Sequence, residues 1–220
     1  MSDNYRTSIE NKVRQLPEKA TYDRQSVHGI LDSGLVAHVA VIQDGAPFVV
    51  PMIYGRENET LYLHGARKAR VIRMLENTKR VCLNITRVDA LVMARSAFNS
   101  SMHYRSVTVF GKPSLLDASD EKLHAMRVIS EHLMPGRWDE LRRPLEHEVK
   151  MTGVIAVEIE SASAKTSTGM PADEDDDYNI PIWAGVLPLE SAFTKLQPDC
   201  RVLDGIKPSA VIRALENRQV

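Results

Sequence analysis

Residues 35–65, LVAHVAVIQDGAPFVVPMIYGRENETLYLHG, decide the fold class. The first part of this stretch is rich in Val, Ala and Ile, which is typical of a buried strand. Asp44-Gly45 then predicts a tight hairpin turn, and residues 48–54 return as the partner strand. Asn58-Glu59 predicts a second turn into residues 60–64. Three strands joined by short turns form an antiparallel meander, which excludes a parallel α/β sheet because parallel strands need long crossovers.

The flanking sequence predicts further strands and a few helices that pack outside them. Pro51 indicates an edge, a bulge or an interrupted ladder, and Asp23 and Ser119 are the predicted helix N-caps. The predicted helices cover residues 24–33, 66–76, 119–133, 142–150 and 209–217. The predicted strands cover residues 81–88, 90–97, 103–116 and 153–160, with an acidic loop at 161–180. About six strands with short turns predict a mainly β fold, an antiparallel barrel with peripheral helices.

Composition excludes several classes of function. The 220 residues hold 28 Lys and Arg against 29 Asp and Glu, a net charge of −1, which argues against nucleic-acid binding. No apolar run is long enough to predict a membrane span. Two cysteines, Cys82 and Cys200, make neither a disulfide framework nor a metal knuckle. A cytoplasmic protein is therefore expected.

One segment of the chain is strongly basic. Residues 61–88 hold seven Lys and Arg side chains and one acidic side chain. Within it, Arg67, Lys68 and Arg70 follow a strand and open a predicted helix, an arrangement that favours a phosphate or carboxylate. The alternative is a solvated basic face. No glycine-rich nucleotide loop is present, so a small anionic ligand is the prediction.

A second candidate site is the polar segment at residues 99–106, NSSMHYRS. Arg105 and Ser106 could donate to a phosphate there, and the alternative is a polar strand entrance. The seven histidines show no metal-binding spacing, so no metal site is predicted. No nucleophile motif is present either. If the protein is an enzyme, a cofactor is therefore expected to carry the chemistry.

Taken together, these segments resemble the FMN-binding split-barrel family related to pyridoxamine 5′-phosphate oxidase. The match is to the branch that includes nitroimidazole-resistance proteins and flavin-nucleotide-binding proteins, and it runs from about Leu16 to Leu189. The motifs that carry it are VVPMIY at 49–54, LYLHG at 61–65, Arg70, SMHYRSV at 101–107 and IPIWAGV at 180–186. The resemblance implies an antiparallel Greek-key split β-barrel. It also implies one FMN-binding domain over residues 1–220, with a core at about 16–189 and a C-terminal extension at 190–220.

The resemblance also implies a set of cofactor-binding residues. The strand at 49–54 would run beside the isoalloxazine ring and offer it backbone groups. Arg70 matches a phosphate-binding arginine, although Ala69 stands where a Ser or Gly is usual and Val71 where a Lys is common; Lys68 or Arg67 could compensate. The full set of implied cofactor-binding residues is Pro51, Met52, Ile53, Tyr54, His64, Gly65, Lys68, Arg70, Arg105, Ser106 and Trp183.

The function that the resemblance implies is an FMN-dependent oxidoreductase acting on a small organic molecule, with nitro-group reduction as the more specific prediction. It implies a homodimer with two flavin sites at the subunit interface, where Trp183 would approach the flavin from the partner; a core or interface anchor is the alternative for Trp183. His64, His103 and Tyr104 are candidate proton donors, and no catalytic residue is assigned. A flavin-binding or sensing protein without turnover, and a split barrel that binds haem or a deazaflavin, are the alternative functions.

Overall fold

The computed structural model describes residues 3–220 and confirms a mainly β architecture. The strands of the described chain are β1 (Ala20–Thr21), β2 (Val36–Gln43), β3 (Ala46–Glu57), β4 (Thr60–Ala66), β5 (Val81–Met93), β6 (Ser101–Leu116), β7 (Thr152–Ser167) and β8 (Gly185–Pro188). The α-helices are α1 (Arg24–Ser33), α2 (Arg70–Asn77), α3 (Ser119–Leu133), α4 (Glu146–Met151) and α5 (Ala210–Arg213). Over this same range, no helix has the length and apolar character needed to cross a membrane.

The strands close into the predicted barrel. Their order is β7-β4-β3-β2-β5-β6, and β6 pairs again with β7, so the ring has no open seam. Every pairing is antiparallel, with β1 added beside β7 and β8 beside β5. Alternate residues of each strand point inward, as the period of a strand requires. The largest fully buried side chains of the strands are Tyr54, Leu61, Leu63, Leu83, Ile85 and Ile155.

The central meander follows the turns that the sequence predicts. Asp44 and Gly45 both adopt a left-handed backbone, with φ of 52° and 77°, between the paired residues Gln43 and Ala46. This is the conformation of a two-residue hairpin turn whose twist matches the flanking strands. Asn58 has φ of 52° in the second turn, between β3 and β4. The meander is therefore confirmed in position and in direction.

The strand β3 changes partners along its length. Residues 46–53 pair with β2, whereas residues 54–57 pair with β4. Among the described strands, nothing pairs with the other edge of residues 46–53. Pro51, which has no N–H to donate, lies in this one-sided part opposite His38 of β2. Of the three possibilities that the sequence left for Pro51, an edge is the one found.

Two of the helices, α1 and α3, pack against the strands. α1 begins at the predicted cap, because the Asp23 carboxylate accepts a hydrogen bond from the Ser26 backbone at 2.7 Å. α3 crosses β3 so closely that a Cβ at Gly55 would lie 2.7 Å from the Ile129 Cα. Only a glycine permits this approach, and the glycine thereby fixes where α3 sits on the sheet.

Several predicted boundaries are wrong. α2 begins at Arg70 rather than at residue 66, because Ala66 still pairs with Thr152 and the backbone turns between them. Residues 81–97 form one strand to Met93, with a register shift between Val88 and Ala90 instead of a break. α3 has the predicted range, but its N-cap position is Ala118, which makes no side-chain cap.

The largest error concerns the end of β7. The sequence predicts a loop from residue 161, yet the strand continues to Ser167 and pairs with both β1 and β6. The residues involved are small, and Ala162 and Ala164 are fully buried. Small side chains let β1 and the long strand β6 approach from either side, and tertiary contact therefore overrides a weak strand propensity.

Candidate functional site

A cavity of about 530 Å³ lies between the β2–β3 hairpin and α2. We call it the basic cavity. The turn before α2 is fixed by two backbone hydrogen bonds, from Arg67 to the Met151 carbonyl at the end of α4 and from Ala69 to the Ala66 carbonyl. The residues that line the cavity are Ile42, Gln43, Asp44, Lys68, Arg70, Arg73, Met74, Asn77 and Thr78.

Arg70 is held in the basic cavity by two contacts. Its Nε donates to the Gln43 Oε1 at 2.8 Å, and its guanidinium carbon lies 3.8 Å from the centre of the Phe48 ring. Neither contact neutralises the charge, and Arg70 forms no ion pair with any residue in 3–220. The guanidinium is therefore fixed in position while its terminal nitrogens remain available to an anion.

Two further cations share this cavity. Lys68 and Arg73 line it and, like Arg70, have no acidic partner among the described residues. Arg67 turns away and forms a two-point ion pair with Glu76 at 3.0 Å. Asp44 is the acidic residue of the lining, so three cations face one carboxylate. The excess of positive charge suits a phosphate or diphosphate group.

The unpaired edge of β3 leads away from the basic cavity. It starts beside Phe48 and runs to Ile53, and it presents free backbone N–H and C=O groups. Outward-facing side chains along it are apolar: Val49 is 62% exposed and Ile53 is 38% exposed. A row of backbone hydrogen-bonding groups beside apolar side chains suits the edge and face of a planar heteroaromatic ring.

The structure divides the predicted residues of this strand into two kinds. Pro51 and Ile53 face outward, whereas the side chains of Met52 and Tyr54 point into the core. Tyr54 is fully buried and donates its hydroxyl to the Leu31 carbonyl, and burial raises the pKa of that phenol. Contacts from Met52 and Tyr54 to a cofactor can therefore come only from their backbone groups.

His64 and Gly65 lie at the end of β4 and do not line the basic cavity. His64 is on the same face of β4 as Tyr62, whose ring meets His124 of α3 edge to face. Burial lowers the pKa of His64, so the imidazole is neutral at pH 7. Gly65 lies against Ile72, and neither residue is brought beside Arg70 by the described contacts.

Arg105 and Ser106 are in the middle of β6, away from the basic cavity. Arg105 forms a two-point ion pair with Asp89, at 2.9 Å from Nε and 2.7 Å from Nη2. The hydrogen bond from Arg105 is the main reason why the pKa of Asp89 is lowered. Two N–H groups of Arg105, a donor that the sequence offers to a phosphate, are thus already occupied within the chain.

Trp183 stands in the segment before β8 and is 70% exposed. Its ring folds over Gly185, where a Cβ would lie 2.7 Å from the ring. The single chain does not bring Trp183 to the basic cavity. The core-anchor alternative is excluded by this exposure, and an interface role stays a prediction.

Sequence reasoning missed three residues at this site: Arg73 and Gln43, which line the basic cavity, and Phe48, whose ring contacts Arg70. Arg73 carried a signal, since it lies one helical turn after Arg70 and shares its face. Gln43 and Phe48 carried none, because they reach Arg70 only when the β2–β3 hairpin meets α2 in three dimensions. The candidate proton donors His64, His103 and Tyr104 do not line this cavity.

Comparison with known proteins gives consistent matches. A family model described as pyridoxamine 5′-phosphate oxidase matches residues 23–166. The flavocytochrome Anf3 from Azotobacter vinelandii is 34% identical with a TM-score of 0.90, covering 95% of this chain and 97% of that one. An FAD and haem binding protein from Mycobacterium smegmatis is 31% identical with a TM-score of 0.87, covering 90% and 98%.

A third solved structure is a candidate 5-nitroimidazole antibiotic resistance protein from Bacteroides thetaiotaomicron. It is 26% identical with a TM-score of 0.58, and the match covers 67% of this chain and 86% of that one. Matches over 95% and 90% of 220 residues necessarily include part of residues 190–220. The C-terminal extension therefore has counterparts in both of the longer matches.

Proposed function

Because the chain belongs to the pyridoxamine 5′-phosphate oxidase family, we propose that it is a flavin-dependent redox protein whose flavin phosphate binds in the basic cavity. The observation that carries this proposal is the set of three uncompensated cations, Lys68, Arg70 and Arg73, around one cavity. A bound flavin would supply the capacity to accept and donate electrons. The structurally similar proteins named as flavin-binding support the same reading.

FAD is the flavin that we favour, with FMN, the cofactor expected from the sequence, as the second candidate. The charge of the basic cavity suits either one, because an FMN phosphate and an FAD diphosphate both carry close to two negative charges. Size favours FAD: a cavity of about 530 Å³ is as large as many whole-ligand sites and much larger than a single phosphate. The relative from Mycobacterium smegmatis, 31% identical, is named as binding FAD.

The chain's own residues would perform three tasks. Arg70, held by Gln43 and Phe48, binds the phosphate without having to reorganise. The free edge of β3 donates to and accepts from the polar edge of the ring, which orients it. Val49 and Ile53 cover part of the ring and exclude water from it. The uncovered face is then open to a small organic substrate or to a second redox group.

We propose that two copies of the chain associate, as the sequence predicts. Large apolar side chains on the outer surface, apart from those assigned to the ring, include Leu91, Met102 and Leu187, all more than a third exposed. An exposed apolar surface of this kind is typical of a contact with another molecule. A two-fold partner placed here would bring its own Trp183 near the ring that lies along β3.

A second cofactor, haem, is favoured by a separate observation. Two solved structures that are more than 30% identical to this chain, those from Azotobacter vinelandii and Mycobacterium smegmatis, are named for a cytochrome or for haem binding as well as for flavin. Electron transfer between a flavin and a haem is therefore the more specific activity that we propose. Nitro-group reduction is supported only by the shorter, 26% identical match. A flavin sensor without turnover is the remaining alternative.

The test is the absorption spectrum and cofactor content of the purified protein. We expect flavin bands together with a Soret band, and FAD in the supernatant when the protein is denatured and its small molecules are separated by chromatography against FAD, FMN and riboflavin. Anaerobic NADH or NADPH should then bleach the flavin bands. A protein that holds no flavin, even after incubation with excess FAD and FMN, would contradict the proposal.

A further inference from the structure

A second cleft lies on the outer surface of the barrel, where β2 and β5 meet residues of the C-terminal extension. Its volume is about 300 Å³, and the residues that matter for the argument are Val36, His38, Arg87, Val88, Leu189 and Val220. Just before the extension, the Leu189 backbone donates to the Asp89 carbonyl of β5 at 2.9 Å, and within the extension the Val220 backbone donates to the Ser191 carbonyl at 2.8 Å. We call it the His38 cleft.

His38 occupies the middle of β2 and points outward. Its register partners are Pro51 of β3 and Asn84 of β5, so the ring stands on a sheet and not on a loop. Within residues 3–220 it makes no hydrogen bond and no ion pair. Three other histidines have polar partners: His28 pairs with Glu59, His124 with Glu57, and His132 with the Gly34 carbonyl. Two more lie elsewhere, His64 on the face toward α3 and His147 on α4.

The surroundings of His38 are apolar, with one cation. Val36, Ile53 and Val88 are each between 38% and 39% exposed on the strands around it. The Arg87 guanidinium lines the cleft, donates one hydrogen bond to the Ser33 carbonyl at 3.1 Å, and has no acidic partner within 4 Å among the described residues. An imidazole without a partner, an apolar rim and a guanidinium without an acidic partner are features that suit the iron, the ring and a propionate of a haem.

We propose that His38 is the axial ligand of a haem bound in the His38 cleft, with Arg87 paired to one propionate. This inference rests on the proposed haem function and assigns it to specific atoms. The cleft is smaller than a whole macrocycle, so part of the haem would stand outside it, beside the exposed side chains of Val36 and Val88. The residues of the C-terminal extension form one wall, which agrees with the presence of this extension in both matches that are named for a cytochrome or haem.

The site is distinct from the basic cavity, although residues of β2 line both. His38 lies opposite Pro51, on the strand segment whose free edge we assign to the flavin ring. A haem on the outer face and a flavin along the edge would therefore be close neighbours. This closeness is what direct electron transfer between the two groups needs.

The experiment compares haem binding by wild type, His38→Ala and a control variant, His147→Ala, which changes an exposed histidine of α4. Haemin is titrated into purified protein loaded with FAD, and the Soret band and flavin content are recorded together. Wild type and His147→Ala should bind one haem per chain. His38→Ala should bind haem at least roughly tenfold more weakly than the wild type. Added imidazole should restore the wild-type Soret band of this variant.

Each outcome separates the ligand assignment from the proposed functions. An unchanged Soret band and affinity in His38→Ala would show that His38 is not the ligand. Failure of the wild type to bind haem, with FAD still bound, would overturn both the haem function and the His38 assignment while leaving the flavin function standing. A second variant, Arg87→Gln, should weaken haem binding by severalfold without moving the Soret band. The reason is that the Arg87 guanidinium would pair with a propionate and would not contact the iron.

Discussion

The guanidinium carbon of Arg70 lies over the aromatic ring of Phe48, 3.8 Å from its centre. The two residues come from different elements, since Phe48 is in β3 and Arg70 is the first residue of α2. The contact fixes the cation beside the free edge of β3, so the phosphate site and the ring site are coupled through one pair of side chains. This coupling gives the first two predictions.

Removal of Arg70 should weaken flavin binding through the phosphate. Arg70→Ala loses a charge-assisted hydrogen bond, which is worth about 1.5–3 kcal/mol, so the dissociation constant of FAD should rise roughly tenfold or more. Riboflavin, which lacks phosphate, should bind equally to wild type and variant. Arg67→Ala is the matched control, because Arg67 is paired with Glu76 outside the cavity. Flavin fluorescence titration measures all of these, and an equal loss for FAD and riboflavin would contradict the phosphate role.

Phe48 should also contribute to the free energy of FAD binding, but less than Arg70 does. Phe48→Leu keeps most of the apolar volume and removes the cation–π contact, worth about 0.5–1 kcal/mol at an exposed site. The FAD dissociation constant should rise about twofold to fivefold. In the Arg70→Ala background the same substitution should have no further effect, since the contact is already absent. Additive effects in this double-mutant cycle would show that Phe48 acts independently of Arg70.

The parts of the fold that follow from local sequence were predictable. Asp44-Gly45 fixes a turn by backbone conformation alone, and the face formed by Val27, Ile30 and Leu31 is set by helical period. The end of β7 was not predictable, because Ser161–Ser167 has weak strand propensity and becomes a strand only between β1 and β6. Tertiary pairing, and not local preference, decides such segments.

The same distinction applies to the candidate site. Lys68 and Arg70 could be predicted because their charges are adjacent in the sequence, and the structure brings both into one cavity. Arg105 matches a family motif equally well, yet its guanidinium is paired with Asp89, sixteen residues earlier in the chain. A sequence pattern shows which donors exist and does not show which are already paired. The assignment of Arg105 to a phosphate therefore stays a prediction for the assembled protein.

Because α3 packs so closely on β3, the stability of the protein should be sensitive to a single methyl group added at Gly55. A Cβ at this position would lie 2.7 Å from backbone atoms of Val128 and Ile129, so Gly55→Ala should lower the free energy of unfolding by about 1–3 kcal/mol. Gly29→Ala is the matched control: Gly29 is exposed in α1 with nothing within 4 Å of a Cβ. That variant should gain about 0.5–1 kcal/mol. Urea unfolding followed by circular dichroism measures both, and equal stabilities would contradict the close packing.

His132 should make the stability depend on pH on the acid side. Burial lowers its pKa below the ordinary 6.5, although its hydrogen bond to the Gly34 carbonyl acts in the opposite direction. Well above pH 6.5 the histidine is neutral in both states and contributes no pH dependence. Below it, the unfolded chain binds a proton that the folded chain does not, so the free energy of unfolding falls as the pH is lowered.

His132→Gln is the variant that tests this linkage, because glutamine can still donate to the Gly34 carbonyl and does not titrate. Urea unfolding between pH 7.5 and about 5.5 should show a smaller loss of stability for the variant than for the wild type. His147→Gln, on the exposed face of α4, should leave the wild-type slope unchanged. Parallel curves for wild type and His132→Gln would show that other groups, such as His28 beside Glu59, cause the pH dependence.

Trp183 should link cofactor binding to association of two chains. Its ring is 70% exposed in the single chain, and aromatic residues of this kind often dominate interfaces, at about 2 kcal/mol or more each. Trp183→Ala should therefore raise the dimer dissociation constant roughly thirtyfold. Because a ligand that binds only the assembled form stabilises it, dilution should release FAD and dissociate the dimer together. Light scattering and flavin fluorescence over one dilution series measure both. Trp138→Phe, at the other tryptophan, is the control, and a monomer that holds FAD at full occupancy would overturn the shared site.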